Sequence, residues 1–162
     1  MLRSALALAA ASAAVAAAPA TASAPSPARF LRWDAAHRTV HLTLLAGLGG
    51  ENNGFNFDGY GRGELLVTVP LRARVVVDCE NRGSTRHSCA IVANALTTRA
   101  AFRGARSAAL NPGGKASFAF TASRTGTFRI ACLVSGHEQA RMWDVLDVKR
   151  VARPSISARR GP

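Results

Sequence analysis

Cys132, His137 and Met142 fall at even spacing in one short run, Cys132-x4-His137-x4-Met142, and a further histidine, His87, lies upstream in Arg86-His87-Ser88-Cys89-Ala90-Ile91-Val92. A thiolate is a soft ligand, an imidazole a borderline one, and a thioether a weak axial one. Together they suit a copper ion that cycles between Cu(I) and Cu(II). Two imidazoles and a thiolate would also accept zinc, but closed structural zinc sites favour more thiolates. Taken singly, each residue has a plainer reading. Met142 beside Trp143 could be core, His137 after Gly136 a loop histidine, and Cys132 an inert buried thiol. The four types in this order favour the metal.

The elements that must hold these residues read as all-β. Residues 30–34 and 39–45 flank a short turn and predict a hairpin. A loop rich in glycine and asparagine follows at 47–54. Further strands are expected at 64–69, 74–80 and 87–92, bounded by Pro70 or by Asn/Gly/Ser turns. Residues 93–114 are less regular, and 98–109 could form a helical turn or two. Strands at 115–121 and 127–133 bracket a turn at 123–126, and 143–150 is expected to close the sheet. About seven or eight short strands of this kind make a two-sheet sandwich. Alternation puts Phe128, Ile130 and Cys132 on one face, and His87, Cys89 and Ile91 likewise, so both faces should point inward. Cys132 then ends a buried strand, His137 and Met142 come from the loop after it, and His87 from a neighbouring strand end.

Length and composition narrow the field. The 162 residues allow one domain with a real core. The chain opens with Arg3, an alanine-rich apolar run over 4–18 and the small-x-small triplet Ala20-Thr21-Ala22. That order predicts a signal peptide over 1–22, cleaved after Ala22, with an uncleaved anchor as the competing reading. The apolar run is too short to span a bilayer. Residues 23–28 read as a short linker, 29–150 as the folded domain, and 151–162 as a basic, disordered tail. The mature chain is expected to be exported: periplasmic, secreted or at the outer face of the cytoplasmic membrane, where disulfides persist. Net charge is +12. The basic residues are scattered and no nucleic-acid motif accompanies them. An acidic partner or an anionic membrane surface is therefore the functional reading of the charge, and plain basic composition the alternative.

The run Gly54-Phe55-Asn56-Phe57-Asp58-Gly59-Tyr60, the strand Leu66-Val67-Thr68-Val69-Pro70, the pair His87-Ser88 and the Cys132-x4-His137-x4-Met142-Trp143 motif together resemble the sulfocyanins of the cupredoxin superfamily, and rusticyanin more distantly. The resemblance covers about residues 29–150. It implies a Greek-key cupredoxin sandwich and one type 1, or blue, copper ion on His87, Cys132, His137 and Met142. It puts Ser88 where such proteins keep a hydrogen-bonding side chain near the thiolate. It also implies an electron carrier that serves respiratory oxidases, with a cytochrome or terminal oxidase subunit as partner. Arg86 and Arg141 depart from the proline and glycine usual in related chains. They would flank the exposed edge of His137 as docking residues for an acidic partner. Cys79 and Cys89 replace apolar core positions, and two inward cysteines in an oxidising compartment favour a disulfide over two buried thiols.

An enzyme is not expected. The chain has four histidines in all, His37 and His41 reading as surface residues, too few for a multicopper oxidase cluster or a second copper site. The non-enzyme rival is a copper-trafficking or resistance protein. Such proteins expose clusters of methionine or cysteine, whereas this chain has only Met1 and Met142 as methionines.

Overall fold

The computed structural model describes residues 25–159. The expected signal peptide lies outside them. Within them, nine strands, numbered in chain order, form two sheets. The first sheet holds β1 (Leu31–Asp34), β2 (Thr39–Ala46), β4 (Arg74–Asn81) and β6 (Lys115–Thr121), in the spatial order β1-β2-β4-β6. The second holds β3 (Leu65–Pro70), β5 (Ala90–Val92), β7 (Gly126–Ala131), β8 (Trp143–Lys149) and β9 (Ser155–Ala158), in the order β5-β7-β8-β3-β9. The architecture is the cupredoxin-like sandwich, and no α-helix occurs among the described residues.

Period-2 patterning explains the packing. Along β4, Val75, Val77 and Cys79 are buried while Arg74 and Asp78 are exposed. Leu42 and Leu44 of β2, Val67 of β3, Ile130 of β7 and Leu146 of β8 meet them in one wholly buried core. Each such side chain contributes roughly 1.5–3 kcal/mol by leaving water. Two pairings are parallel, β2 with β4 and β3 with β8, and they join segments far apart in the chain. β7 and β8 form an antiparallel hairpin with Ala131 opposite Trp143. The run from Cys132 to Met142 is the connection of that hairpin, so one end of the sheet and one loop carry most of the site.

The structure differs from the sequence reading in three places. Residues 151–162 were expected to lack order, yet β9 pairs antiparallel with β3, Leu65 opposite Ala158. The segment is short and polar, so it carries no apolar run to mark it. Its order comes from the free backbone edge of β3 and from Ile156, which packs on the core. The folded region therefore extends past residue 150, and the strands number nine rather than seven or eight. Residues 143–150 do not close the sheet, because β8 lies inside it between β7 and β3. Residues 98–109 make no helix. They run extended enough to form isolated bridges back to the β5 region, Arg106 to Ala90 and Ala100 to Val92.

Two buried carboxyls stand beside the core. Asp58 accepts the Leu45 N–H at 2.8 Å and Asp144 the Leu65 N–H at 2.9 Å. The second oxygen of each has no protein partner among the described residues. Burial pushes Asp58 up to about 8 and Asp144 well above the usual carboxylate range. Both are kept as neutral acids, since an unpaired buried charge would cost far more.

Candidate metal centre

His87 is set by the turn that leaves β4. The buried Asn81 side chain accepts the Gly83 N–H at 2.9 Å and donates to the carbonyls of Thr85 (2.7 Å) and Leu110 (2.9 Å). His87 and Leu110 exchange backbone hydrogen bonds in both directions, at 3.1 and 2.7 Å. Two glycines wall the outer edge of the imidazole. A Cβ on Gly83 would sit 2.7 Å from His87 Nε2, and one on Gly47 would sit 2.9 Å from it. With Nε2 packed there and 3.4 Å from Thr85 Oγ1, Nδ1 is the nitrogen left for the site. The disulfide Cys79–Cys89, Cα to Cα 6.0 Å, then ties β4 to the segment two residues beyond His87 and so joins the two sheets.

Cys132 follows β7, and its buried sulfur meets Ser88. The Ser88 N–H donates to Sγ at 3.3 Å, and Ser88 Oγ lies 3.8 Å away while accepting the Leu133 N–H at 2.8 Å. Ser88 therefore fixes the cysteine backbone and stabilises charge on its sulfur. Met142, wholly buried, donates its N–H to His137 O at 2.9 Å, and its carbonyl accepts the Cys132 N–H at 3.3 Å. His137 is half-buried, with Phe55 packed edge-on at 4.9 Å. This explains the Gly54–Tyr60 run: its aromatic residue covers a ligand.

Sγ of Cys132 lies 4.0 Å from His87 Nδ1 and 3.4 Å from His137 Nδ1, and the two Nδ1 atoms are 3.2 Å apart. A point in the plane of that triangle is about 2.1 Å from all three donors, which matches first-row metal distances of about 2.0–2.3 Å to nitrogen and sulfur. Burial pulls the His87 imidazole down to about 4, with His137 adding to the fall, and burial pulls His137 down too. Both rings are neutral at neutral pH and offer lone pairs. Burial raises the Cys132 thiol, opposed by the Ser88 and Val134 N–H groups. A cation would have to supply what the protein leaves out, since only a bound metal makes this sulfur a stable thiolate.

The remaining support is a latch that composition alone does not reveal. Glu138, next to His137 and buried, accepts Arg129 Nη1 at 2.9 Å and the Leu96 N–H at 2.8 Å. Arg129 lies over the Trp143 ring at 4.0 Å, so one guanidinium joins the residue after His137 to the residue after Met142. Asn52 adds a tie by donating to Ala140 O at 3.0 Å. One signal pointed to Glu138: it is the single carboxylate between Glu80 and Asp144. Arg86 and Arg141 are both exposed, and Arg141 sits at φ 64, a left-handed conformation that favours glycine. His37 is exposed and paired with Asp34 at 2.8 Å, and His41 is half-buried on β2, so neither joins the cluster.

Comparison with known proteins agrees with this geometry. The sulfocyanin (SoxE) domain pattern matches residues 26–105. Sulfocyanin of Sulfolobus acidocaldarius is 24% identical over 130 residues, which cover 70% of this chain and 65% of the relative, so the chain spans slightly less than two thirds of that protein's length. Auracyanin A, a blue copper protein of Chloroflexus aurantiacus, superposes with a TM-score of 0.53 at 18% identity, covering 68% of this chain and 99% of its own. Reduced rusticyanin gives 0.51 at 22%, covering 69% and 80%. The neighbours show the fold, and the converging donors, two imidazoles and one thiolate, suit one copper ion. Fold, donor set and domain match agree: the chain has the cupredoxin fold and is similar to the sulfocyanins.

Proposed function

We propose that the protein is an exported carrier of single electrons between respiratory redox partners, and that Met142 would add a weak thioether donor to the three that hold its copper. The observation that carries this reading is the unequal exposure of one rigid donor set. His87 and Cys132 are 2% and 1% exposed, and His137 alone is half-buried. The copper supplies a one-electron couple. The protein's part is to hold the donors in nearly one arrangement for both charges, to keep water off the sulfur, and to leave one imidazole edge near solvent. Ser88 favours the reduced state by its N–H on Sγ, and a weak thioether does the same. In this reading Arg86 and Arg141 flank the exit and steer an acidic face of a cytochrome or oxidase subunit.

A copper titration followed by visible absorption and voltammetry tests it. An intense blue oxidised form with fast, reversible exchange is expected, and Cys132→Ser should abolish the colour even where copper stays bound. A colourless copper form with slow exchange would favour trafficking instead. Met142→Gln should lower the potential, since a harder oxygen would stabilise Cu(II), and a rise would contradict the thioether's role as a donor. Arg141→Glu should slow exchange with an acidic partner by about tenfold at low salt, through the on-rate. Indifference to both salt and that substitution would end the docking idea.

A further inference from the structure

The acidic residues of this chain are unevenly placed. No Asp or Glu occurs between Glu80 and Glu138, while seven arginines and one lysine do. Four of those arginines, Arg99, Arg103, Arg106 and Arg124, line one open cleft of about 770 Å³ on the 93–106 segment and the β6–β7 turn. No carboxylate lines it. Among the described residues none of the four takes part in an ion pair, although Arg82, Lys115, Arg129 and Lys149 all do.

Two of the four heads are anchored. The Arg124 guanidinium sits over the rings of Phe102 at 4.9 Å and Phe128 at 5.2 Å, and Phe102 is itself buried against Phe120. Arg106 Nη1 donates to Thr98 O at 3.3 Å. Anchoring lowers the entropy lost when a ligand arrives, and each guanidinium presents a fork that matches phosphate oxygens in pairs. Four like charges on one cleft repel one another until an anion enters. Lysine would serve diffuse attraction equally well, yet the cleft has none.

We infer that this cleft is a binding site for a group of phosphate chemistry carrying two or more negative charges. The source is either a free phosphate compound or the headgroup of an anionic lipid. The site is separate from the copper donors, but the segment that forms one wall continues into Leu96, whose N–H is held by Glu138 beside His137. Leu96 is 62% exposed, an apolar side chain that could enter a bilayer next to a bound headgroup.

The test uses the full copper-loaded chain. Pyrophosphate is titrated by calorimetry, with sodium chloride at matched ionic strength as control. Binding should saturate at one equivalent, and Arg103→Gln with Arg124→Gln should weaken it by about tenfold or more. Because Arg124 packs on two phenylalanines, Arg99→Gln with Arg103→Gln, both exposed, provides a second variant that leaves the core alone. Arg32→Gln with Arg74→Gln removes the same charge from exposed positions elsewhere and should leave binding almost unchanged. Cosedimentation with vesicles containing cardiolipin, whose headgroup carries two phosphates and two negative charges, against phosphatidylcholine alone, separates the sources. Cleft-dependent binding to both probes assigns the headgroup, and binding to pyrophosphate alone assigns the free compound. Failure to bind pyrophosphate, or equal loss in the Arg32/Arg74 control, overturns the site.

Discussion

The two histidines of the copper centre are supported in opposite ways. His87 is held from behind by backbone: two glycines against its ring, an asparagine that ties its turn, a reciprocal pair of hydrogen bonds and a disulfide two residues on. His137 stands on a hairpin connection, where its own backbone bonds reach only Val134 and Met142 of the same loop, and side chains tie it to the rest of the molecule, namely Phe55 on its ring and the Arg129–Glu138 pair next to it. The contrast suggests a division of labour. The strand side fixes where the metal sits, and the loop side, softer and nearer solvent, can meet a partner without disturbing that position.

Five changes probe this division. The largest effect is expected from Gly47→Ala. Its Cβ would meet Gly83 Cα at 2.7 Å and His87 Nε2 at 2.9 Å, at a φ of +76. A loss of about 3 kcal/mol or more in the copper-free protein should accompany weakened copper uptake. Gly136→Ala on the loop side, at φ +85 but facing open space, should cost only about 1–2 kcal/mol. Thermal unfolding of the two variants checks the asymmetry, and similar losses would erase it.

Removal of the bridge comes next. Replacing both Cys79 and Cys89 with alanine opens a loop of sequence separation 10 and should cost about 2–3 kcal/mol in denaturant unfolding. Thiol counting on the unfolded, unreduced, metal-free parent should find Cys132 alone.

Glu138→Gln should have a smaller effect. It breaks the pair with Arg129 but still offers an oxygen to the Leu96 N–H. Because Arg129 is 30% exposed, about 1–2 kcal/mol is expected rather than the larger figure for a fully buried pair. Copper should also dissociate faster. A double-mutant cycle with Arg129→Met should show a favourable coupling between the two, and additive losses would dismiss the latch. Arg141→Gly is the mildest change and has the opposite sign. It releases a left-handed conformation at φ 64 and should add up to about 1 kcal/mol, read as a rise in Tm.

How much of this could be read beforehand depended on how local each signal was. Cys132, His137 and Met142 are close in sequence, so their spacing alone suggested a metal loop. Alternation along β4 identified its core face because one sheet face is dry. The parallel pairing of β3 with β8 left no local mark, since it joins residues nearly eighty positions apart, Leu66 with Val145. Gly47, Gly83 and Asn81 looked like ordinary turn chemistry, and their role emerges only where the fold brings them against His87. Arg141 was visible as an odd residue in place of a glycine, and its backbone angle now gives that oddity a physical cost.

The strand at the carboxyl end carries a further implication, for aggregation. β9 covers the outer backbone edge of β3, and Arg159 N–H reaches Glu64 O just beyond it. Without it, Leu65–Thr68 would present unpaired amides and carbonyls on a flat, apolar strand, the arrangement that recruits another chain edge to edge. β9 itself is a poor template, being four residues long and bordered by Pro154 and Arg159. A polar tail that looks expendable thus covers a strand edge that would otherwise be open to self-association.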